Sequence, residues 1–242
     1  MEILIILGLF ILSNIPAVIL YSWMKKKGRD AAFEGICKNA FVKGLMSAFP
    51  VLLASFLFTI VEGLIGLKKL DPLVYRAIHT FITIAFAEEI VKFLVFRHVI
   101  KNNSYEYSWF DLTVLMTLVG LGFGAIENLA IAVDANPIVM IIRSIEMGHA
   151  GYGFITGWFY GKGKKYGNKA LQYAGFILSW LLHGLYDFGL SKELEEFNDN
   201  LVFIPILLVL VSFICIILII RFVKKRNRDE EYTAPVLITE QK

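Results

Sequence analysis

With only two cysteines in 242 residues, Cys37 and Cys215, the chain has no disulfide framework. The two are not expected to bridge, because the charge pattern places Cys37 on a membrane face and Cys215 inside an apolar run. Charge is thin as well. Asp, Glu, Lys and Arg make up 19% of the chain, against 57% hydrophobic residues and a mean hydropathy of +0.65, which excludes a soluble globular domain. No His-Glu-x-x-His occurs, so the two-histidine zinc helix of soluble metalloproteases is missing. Nor is there a Gly-x-Ser-x-Gly elbow, or a serine set beside a histidine as a triad requires. Aspartates within apolar runs are confined to Asp187 and the marginal Asp111, poor material for an aspartyl dyad. Gly120-x-Gly122-x-Gly124 follows no strand, so it reads as helix packing and not as a nucleotide loop. No internal repeat or low-complexity linker is visible, which argues against a proton-coupled transporter built from repeated halves.

What the chain does have is long apolar runs. A spanning helix needs about 20 residues. Seven runs qualify: 3–24, 44–67 (around Pro50), 76–99, 109–133, 137–160, 170–190 and 201–222. Too little remains for a separate globular domain. Residues 1–242 are therefore expected to form one all-α integral membrane domain, a polytopic bundle of about seven transmembrane helices, with the lipid bilayer as its constant partner. No Lys or Arg precedes the first run, which exceeds the 7–15 apolar residues of a signal peptide and is followed by Lys25-Lys26-Lys27; this predicts an uncleaved anchor with its N-terminus outside. Asn14 and Pro16 are expected only to bend it.

Basic residues orient the rest. Lys25 to Lys43, Arg97 with Lys101, Lys162 to Lys169, and Arg221 to Arg228 follow runs one, three, five and seven. The alternate loops hold only Lys68, Lys69, Arg76 and Lys192, the last offset by Glu193, Glu195, Glu196 and Asp199. All four basic segments fall on one side, the cytoplasm, which predicts a short cytoplasmic C-terminal tail over about 223–242. The net charge of +3 arises from this asymmetry and carries no implication of nucleic-acid binding. Nothing in the chain fixes an oligomeric state.

Against that apolar background, ionisable residues stand out. Glu88, Glu89 and Lys92 lie in run three, Glu127 in run four, His149 in run five, and His183 with Asp187 in run six. Each costs roughly 2.5–3.5 kcal/mol near the bilayer centre, and their types are those that bind metals or move protons. At ~1.5 Å per residue, Glu88, Glu89 and His149 lie about 18 Å from the outer ends of their runs, and Glu127 and His183 about 10 Å. They can therefore meet in the middle-to-outer half of the membrane. Lys92 is within one turn of both Glu88 and Glu89, and His183 shares a face with Asp187. Adjacent carboxylates point about 100° apart, so one is expected to hold a water or metal while the other orients it. Gly120, Gly124 and Glu127 form one stripe, and His149, Gly153, Gly157 and Gly161 another; such stripes let membrane helices approach closely. Arg143 and Glu146 read as a structural pair, and Glu62, His79 and Asp111 as side chains that snorkel to the interface.

Taken in order, Glu88-Glu89-x-x-Lys92, Phe123-Gly-Ala-Ile-Glu127-Asn128, His149 followed by glycines, and His183-x-x-x-Asp187 resemble the PrsW family of bacterial intramembrane proteases. The resemblance covers about 86–189, within a catalytic core of about 76–190. That family is similar in turn to the type II CAAX prenyl endopeptidases and to the Aph subunit of γ-secretase. In the prenyl endopeptidases a glutamate of the pair activates water and a final His-x-x-x-Asn stabilises the oxyanion. The resemblance thus implies a catalytic set of Glu88, Glu89 and His183. Here Asp187 replaces the asparagine and Glu127 stands near a family histidine, and both changes enrich the site in ligands. They favour a metal, zinc or another divalent transition ion, held by His149, His183 and Glu127 or Asp187.

The resemblance implies an intramembrane endopeptidase, a metalloprotease. It would make the first, site-1 cut in a single-span membrane protein, an anti-sigma factor, and so start a stress response by regulated proteolysis. Glutamate-assisted and metal-assisted attack by water both stay open at this point. A non-catalytic Aph-type scaffold and a prenyl-peptide endopeptidase are the alternatives.

Overall fold

The computed structural model describes residues 2–27, 30–133, 140–142, 147–198, 201, 203–225 and 236. The expected tail after 225 and the Arg143–Glu146 pair lie outside these residues, Val236 apart. Helices α1 (Glu2–Lys25), α2 (Ala31–Met46), α3 (Ala48–Leu64), α4 (Pro72–Ile78) and α5 (Ala87–Lys101) form the first half. Helices α6 (Trp109–Ala132), α7 (Gly148–Lys165), α8 (Lys169–Gly189), α9 (Lys192–Phe197) and α10 (Phe203–Lys225) form the second. No strand occurs among the described residues.

Four stretches, Ile3–Lys25, Ala31–Leu64, Trp109–Ala132 and Phe203–Lys225, are long and apolar enough to cross a membrane. Their outward faces carry large apolar side chains such as Phe49, Leu52, Phe56 and Leu64, at 60–80% exposure. Surfaces so apolar belong against lipid.

The bundle is built around α6. Its capping box opens it: the Ser108 N–H donates to Asp111 Oδ2 at 2.9 Å and the Asp111 N–H returns to Ser108 Oγ at 3.2 Å. From Trp109 to Phe123 every residue is buried, so no side faces lipid and the helix is hydrophobic all round. Glycines make the close crossings possible. A Cβ on Gly120 would collide with the His149 carbonyl, and one on Gly122 with the Phe41 carbonyl. On α7, a Cβ at Gly153 would lie 2.6 Å from Met116 O, and one at Gly157 would lie 2.9 Å from Met116 Cβ. The partners descend α6 as the glycines ascend α7, so the two helices are antiparallel and meet along the stripe that the four-residue spacing predicts.

Helix α8 returns along α7. Asn168 caps it, accepting from the Leu171 N–H at 3.0 Å after Gly167 turns the chain at φ 64°. Thr156 donates to Ser179 Oγ at 2.9 Å, and Ser179 passes the bond on to the Tyr152 carbonyl at 2.8 Å. These buried hydroxyls satisfy one another without water, as a membrane interior requires.

Three sequence expectations need correction. The basic segment after α1 is not a loop: Asp30 caps α2 through the Phe33 N–H at 2.8 Å, and Phe33, Cys37 and Ala40 are fully buried while Lys38 points outward. The fifth span does not run unbroken from 137 to 160. Met147 has φ 44° and α7 begins at Gly148, so His149 sits in a first helical turn instead of mid-span. Nor do Glu62, His79 and Asp111 snorkel. Asp111 is buried in the capping box, and Glu62 is buried against His79 Nδ1 at 2.9 Å.

The glycine contacts generate a stability prediction. Gly153→Ala and Gly157→Ala should each cost about 1–3 kcal/mol by overpacking. Gly8→Ala, where nothing lies within 4 Å of the added carbon, should be neutral or slightly stabilising. Thermal unfolding in detergent separates them, and equal midpoints for all three would refute the close crossing.

Candidate active site

The acids and histidines announced by the sequence converge from α5, α6, α7 and α8. Glu88 and Glu89 open α5 directly after a π-helical turn, His79–Phe86. Such turns are rare and recur at functional sites. The ring of Phe86 then packs edge-on against Trp180 at 5.3 Å, bringing α8 alongside.

The two glutamates divide as their angular separation demands. Glu89, 1% exposed, is 2.6 Å from Lys92 Nζ and 2.9 Å from His183 Nδ1 through the same oxygen. Glu88 turns away from that pair. Its Oε2 is buried with no hydrogen-bond partner, 3.7 Å from Lys92 Nζ and 3.8 Å from His183 Nε2. Buried polar atoms of native proteins almost always have a partner, so an open carboxylate oxygen marks a place for a ligand.

The histidines close the site. His149 Nε2 lies 2.7 Å from Glu127 Oε2, and its Nδ1 lies 3.0 Å from Lys92 Nζ. His183 Nε2 lies 3.2 Å from Asp187 Oδ2. The two imidazoles meet edge to face at 5.1 Å, and Tyr152 stacks on His183 at 5.0 Å. Lys92 also sits 4.5 Å over the Phe123 ring, which favours its charge. A cavity of about 50 Å³ touches Glu127, Asn128, His149, Tyr152, His183 and Asp187. A water needs roughly 10–15 Å³, so several fit. Exposure rises from Glu88 at 10% of its side chain to Glu127 at 26% and Asp187 at 27%, which sets the open edge of the cavity at the last two.

The arrangement fits a metal ion. Ligand atoms of Glu88, His149 and His183 lie within 4.8 Å of one another, the two-imidazole, one-carboxylate set that catalytic zinc sites use. Glu88 and Glu89 share Lys92 while Glu127 and Asp187 lie against the two imidazoles, so four carboxylates, which when ionised only accept hydrogen bonds, surround a centre that favours positive charge. The converging carboxylate is Glu88, whereas the sequence reading chose Glu127 and Asp187. Those two stand beside the histidine nitrogens facing the same centre. All the residues singled out from the sequence as catalytic or ligating are therefore in the cluster. The sequence reading missed Tyr152, although its place three residues after His149 on α7 is a same-face signal. It also missed Asn14, which accepts from Asn128 Nδ2 at 3.5 Å at the cavity's rim instead of merely bending α1.

Comparison with known proteins gives the family. Residues 18–219 match the family described as PrsW family intramembrane metalloprotease. Protease PrsW of Oceanobacillus iheyensis is 26% identical over 220 residues, covering 89% of this chain and 93% of that one. Protease PrsW of Geobacillus kaustophilus is 29% identical over 185 residues, 74% of this chain and 78% of its own. That of Clostridioides difficile is 26% identical over 205 residues, 77% and 81% respectively. No solved structure matches. With apolar helices, a buried cluster of acids and imidazoles, and a family match over most of its length, the chain belongs to the PrsW family of intramembrane metalloproteases, multi-pass proteases of the bacterial cell membrane.

Proposed function

We propose that this protease makes the site-1 cut in a single-span membrane protein, an anti-sigma factor, at or just beyond the outer face of the membrane. The observation that carries the reading is the open Glu88 Oε2, buried within ligand distance of His149 and His183, which line a cavity large enough for water. A scaffold of the Aph type has no need of such an oxygen.

In this reading Glu88 is the base that takes a proton from water as its oxygen bonds to the scissile carbonyl carbon. Glu88 then gives that proton to the departing amine as the C–N bond breaks, a role worth about 10²–10⁴-fold in rate. Glu89 holds the Nδ1–H of His183, so that Nε2 faces the reacting centre. Lys92 keeps Glu89 in place and Tyr152 fixes the plane of the His183 ring. His149 and His183 would hold a divalent ion, zinc by the mix of nitrogen and oxygen donors around them, with Glu88 close enough to act as the base there and Glu127 and Asp187 beside the histidine nitrogens. When bound, that ion supplies Lewis acidity, drawing charge from a carbonyl oxygen and acidifying water. Water reaches the site by the edge at Glu127 and Asp187. Seven crossings, with the N-terminus outside and the tail in the cytoplasm, would turn that edge outward.

Each element has its test. Co-expressed with a tagged single-span anti-sigma factor, Glu88→Ala should lose cleavage by at least about 10²-fold while eluting as folded protein in detergent. Full cleavage by that variant would remove Glu88 from the chemistry. Protein purified without chelator should carry about one zinc per chain, reduced in His149→Ala and His183→Ala along with activity. Chelated, metal-free protein that still cleaves would refute the metal. Glu195→Cys should react with an impermeant thiol reagent added outside intact cells, and labelling only from the cytoplasm would invert the orientation.

A further inference from the structure

Glu62 lies outside the cluster just described, yet it is a buried acid with a full set of partners. On α3, at 4% exposure, it meets His79 Nδ1 at 2.9 Å, the Tyr75 hydroxyl at 3.4 Å and the Thr83 hydroxyl. Residues 75, 79 and 83 are spaced by fours, so one carboxylate grips two successive turns of the helix that leads to Glu88. The π-helical turn is also held through its backbone. Ser55 Oγ of α3 donates to the Thr83 carbonyl at 3.0 Å, and Trp180 Nε1 of α8 donates to the Phe81 carbonyl at 2.6 Å. Two carbonyls within the turn thus take donors from outside their own helix, from two different neighbours.

The two ends of this helix are pinned independently. Upstream, Glu62 fixes the face carrying Tyr75, His79 and Thr83. Downstream, Phe93 packs on Phe176 at 5.5 Å and Phe96 on Tyr160 at 5.1 Å, while Lys92 reaches both Glu89 and His149. The i→i+5 bonding of His79–Phe86 winds the chain less per residue than an α-helix does. It therefore sets the angle between the pinned faces. A slip of one residue to plain α-helix turns the downstream face by about 100°, enough to put Ala87 or Glu89 where Glu88 now points.

We infer that Ser55, Glu62 and Trp180 are positioning residues for the reaction, holding the π-helical turn so that Glu88 faces His149 and His183. The inference deepens the reading in which Glu88 is the reacting carboxylate, but its test requires neither cleavage nor metal. In a background with Cys37→Ala and Cys215→Ala, Glu88→Cys should react slowly but measurably with a small charged methanethiosulfonate in detergent. Adding Ser55→Ala together with Trp180→Phe removes both outside donors and keeps an aromatic ring beside Phe86. Labelling at position 88 should then fall about tenfold or more, and labelling of Ala87→Cys should rise. Ser55→Thr, which keeps a hydroxyl, should preserve the native rate. Should the double change prevent folding, Ser55→Ala and Trp180→Phe are measured singly, on protein that elutes as a folded monodisperse peak. With Glu88 intact, the same changes should lower kcat on the tagged substrate by up to about 10²-fold, with KM unchanged, the loss expected of a 1 Å misplacement. Native labelling at position 88 in the folded variants overturns the inference, even if the enzyme proves to be a protease by every other measure. A purely structural role would lower the folded yield and leave the labelling rate of the folded fraction where it was.

Discussion

Lys92 is the point on which the interior turns. A 1%-exposed ammonium in an apolar bundle is tolerable only when paired and hydrogen-bonded, and Lys92 meets Glu89 at 2.6 Å and His149 Nδ1 at 3.0 Å. Those contacts tie α5 to α7. Glu89 extends the tie to His183 on α8, and His149 extends it to Glu127 on α6. Four helices are thereby coupled through one chain of charge-assisted bonds. Removing any member would leave its neighbours as unpaired charges in low dielectric, which costs far more than the lost contact alone.

Such a chain needs helices close enough for side chains of ordinary length to meet. That is the service of the glycines at 120, 153 and 157, whose missing side chains admit a neighbouring backbone. Lipid supplies no hydrophobic force between helices, so close van der Waals packing has to do what burial does in a soluble core. Glycine packing and the polar chain support each other. The first brings His149 within reach of Lys92, and the second fixes which rotation of α7 is occupied.

How much of this the sequence carried follows from the range of each interaction. Pairs within a helix were legible, because a spacing of three or four puts Lys92 beside Glu89 and Asp187 beside His183 whatever the rest of the fold does. The glycine stripe of α7 was legible for the same reason. Contacts between helices were not: depth along a span narrows the choice, but 57 residues separate Lys92 from His149 and nothing local records their meeting. The helix α2 was obscured by its lysines, which suggested a loop, although Phe33, Cys37 and Ala40 already showed a buried face at helical spacing. Glu62 was misjudged because nearness to the end of a run was equated with nearness to water. Finally, no residue type in His79–Phe86 distinguishes an i→i+5 turn from an ordinary one, since its outside donors, Ser55 and Trp180, lie far away in the chain.

A protease inside a membrane faces opposing demands. Its acids must be held rigidly in a medium that penalises charge, and water must still reach one of them. The site meets both by grading its environment. Glu89 and Lys92 are sealed and fully paired, whereas Glu127 and Asp187, each about a quarter exposed, form the wet edge. Glu88 lies between them with one oxygen that accepts no hydrogen bond. Had that oxygen been bonded to Lys92 as Glu89 is, the cluster would be a more stable ion pair and, in the proposed mechanism, a poorer base. The division depends on neighbouring carboxylates leaving the helix about 100° apart, so that one lysine can satisfy only one of them fully. Two adjacent glutamates, which look redundant as a pair of like charges, are in the proposed mechanism the least that gives one anchor and one reagent.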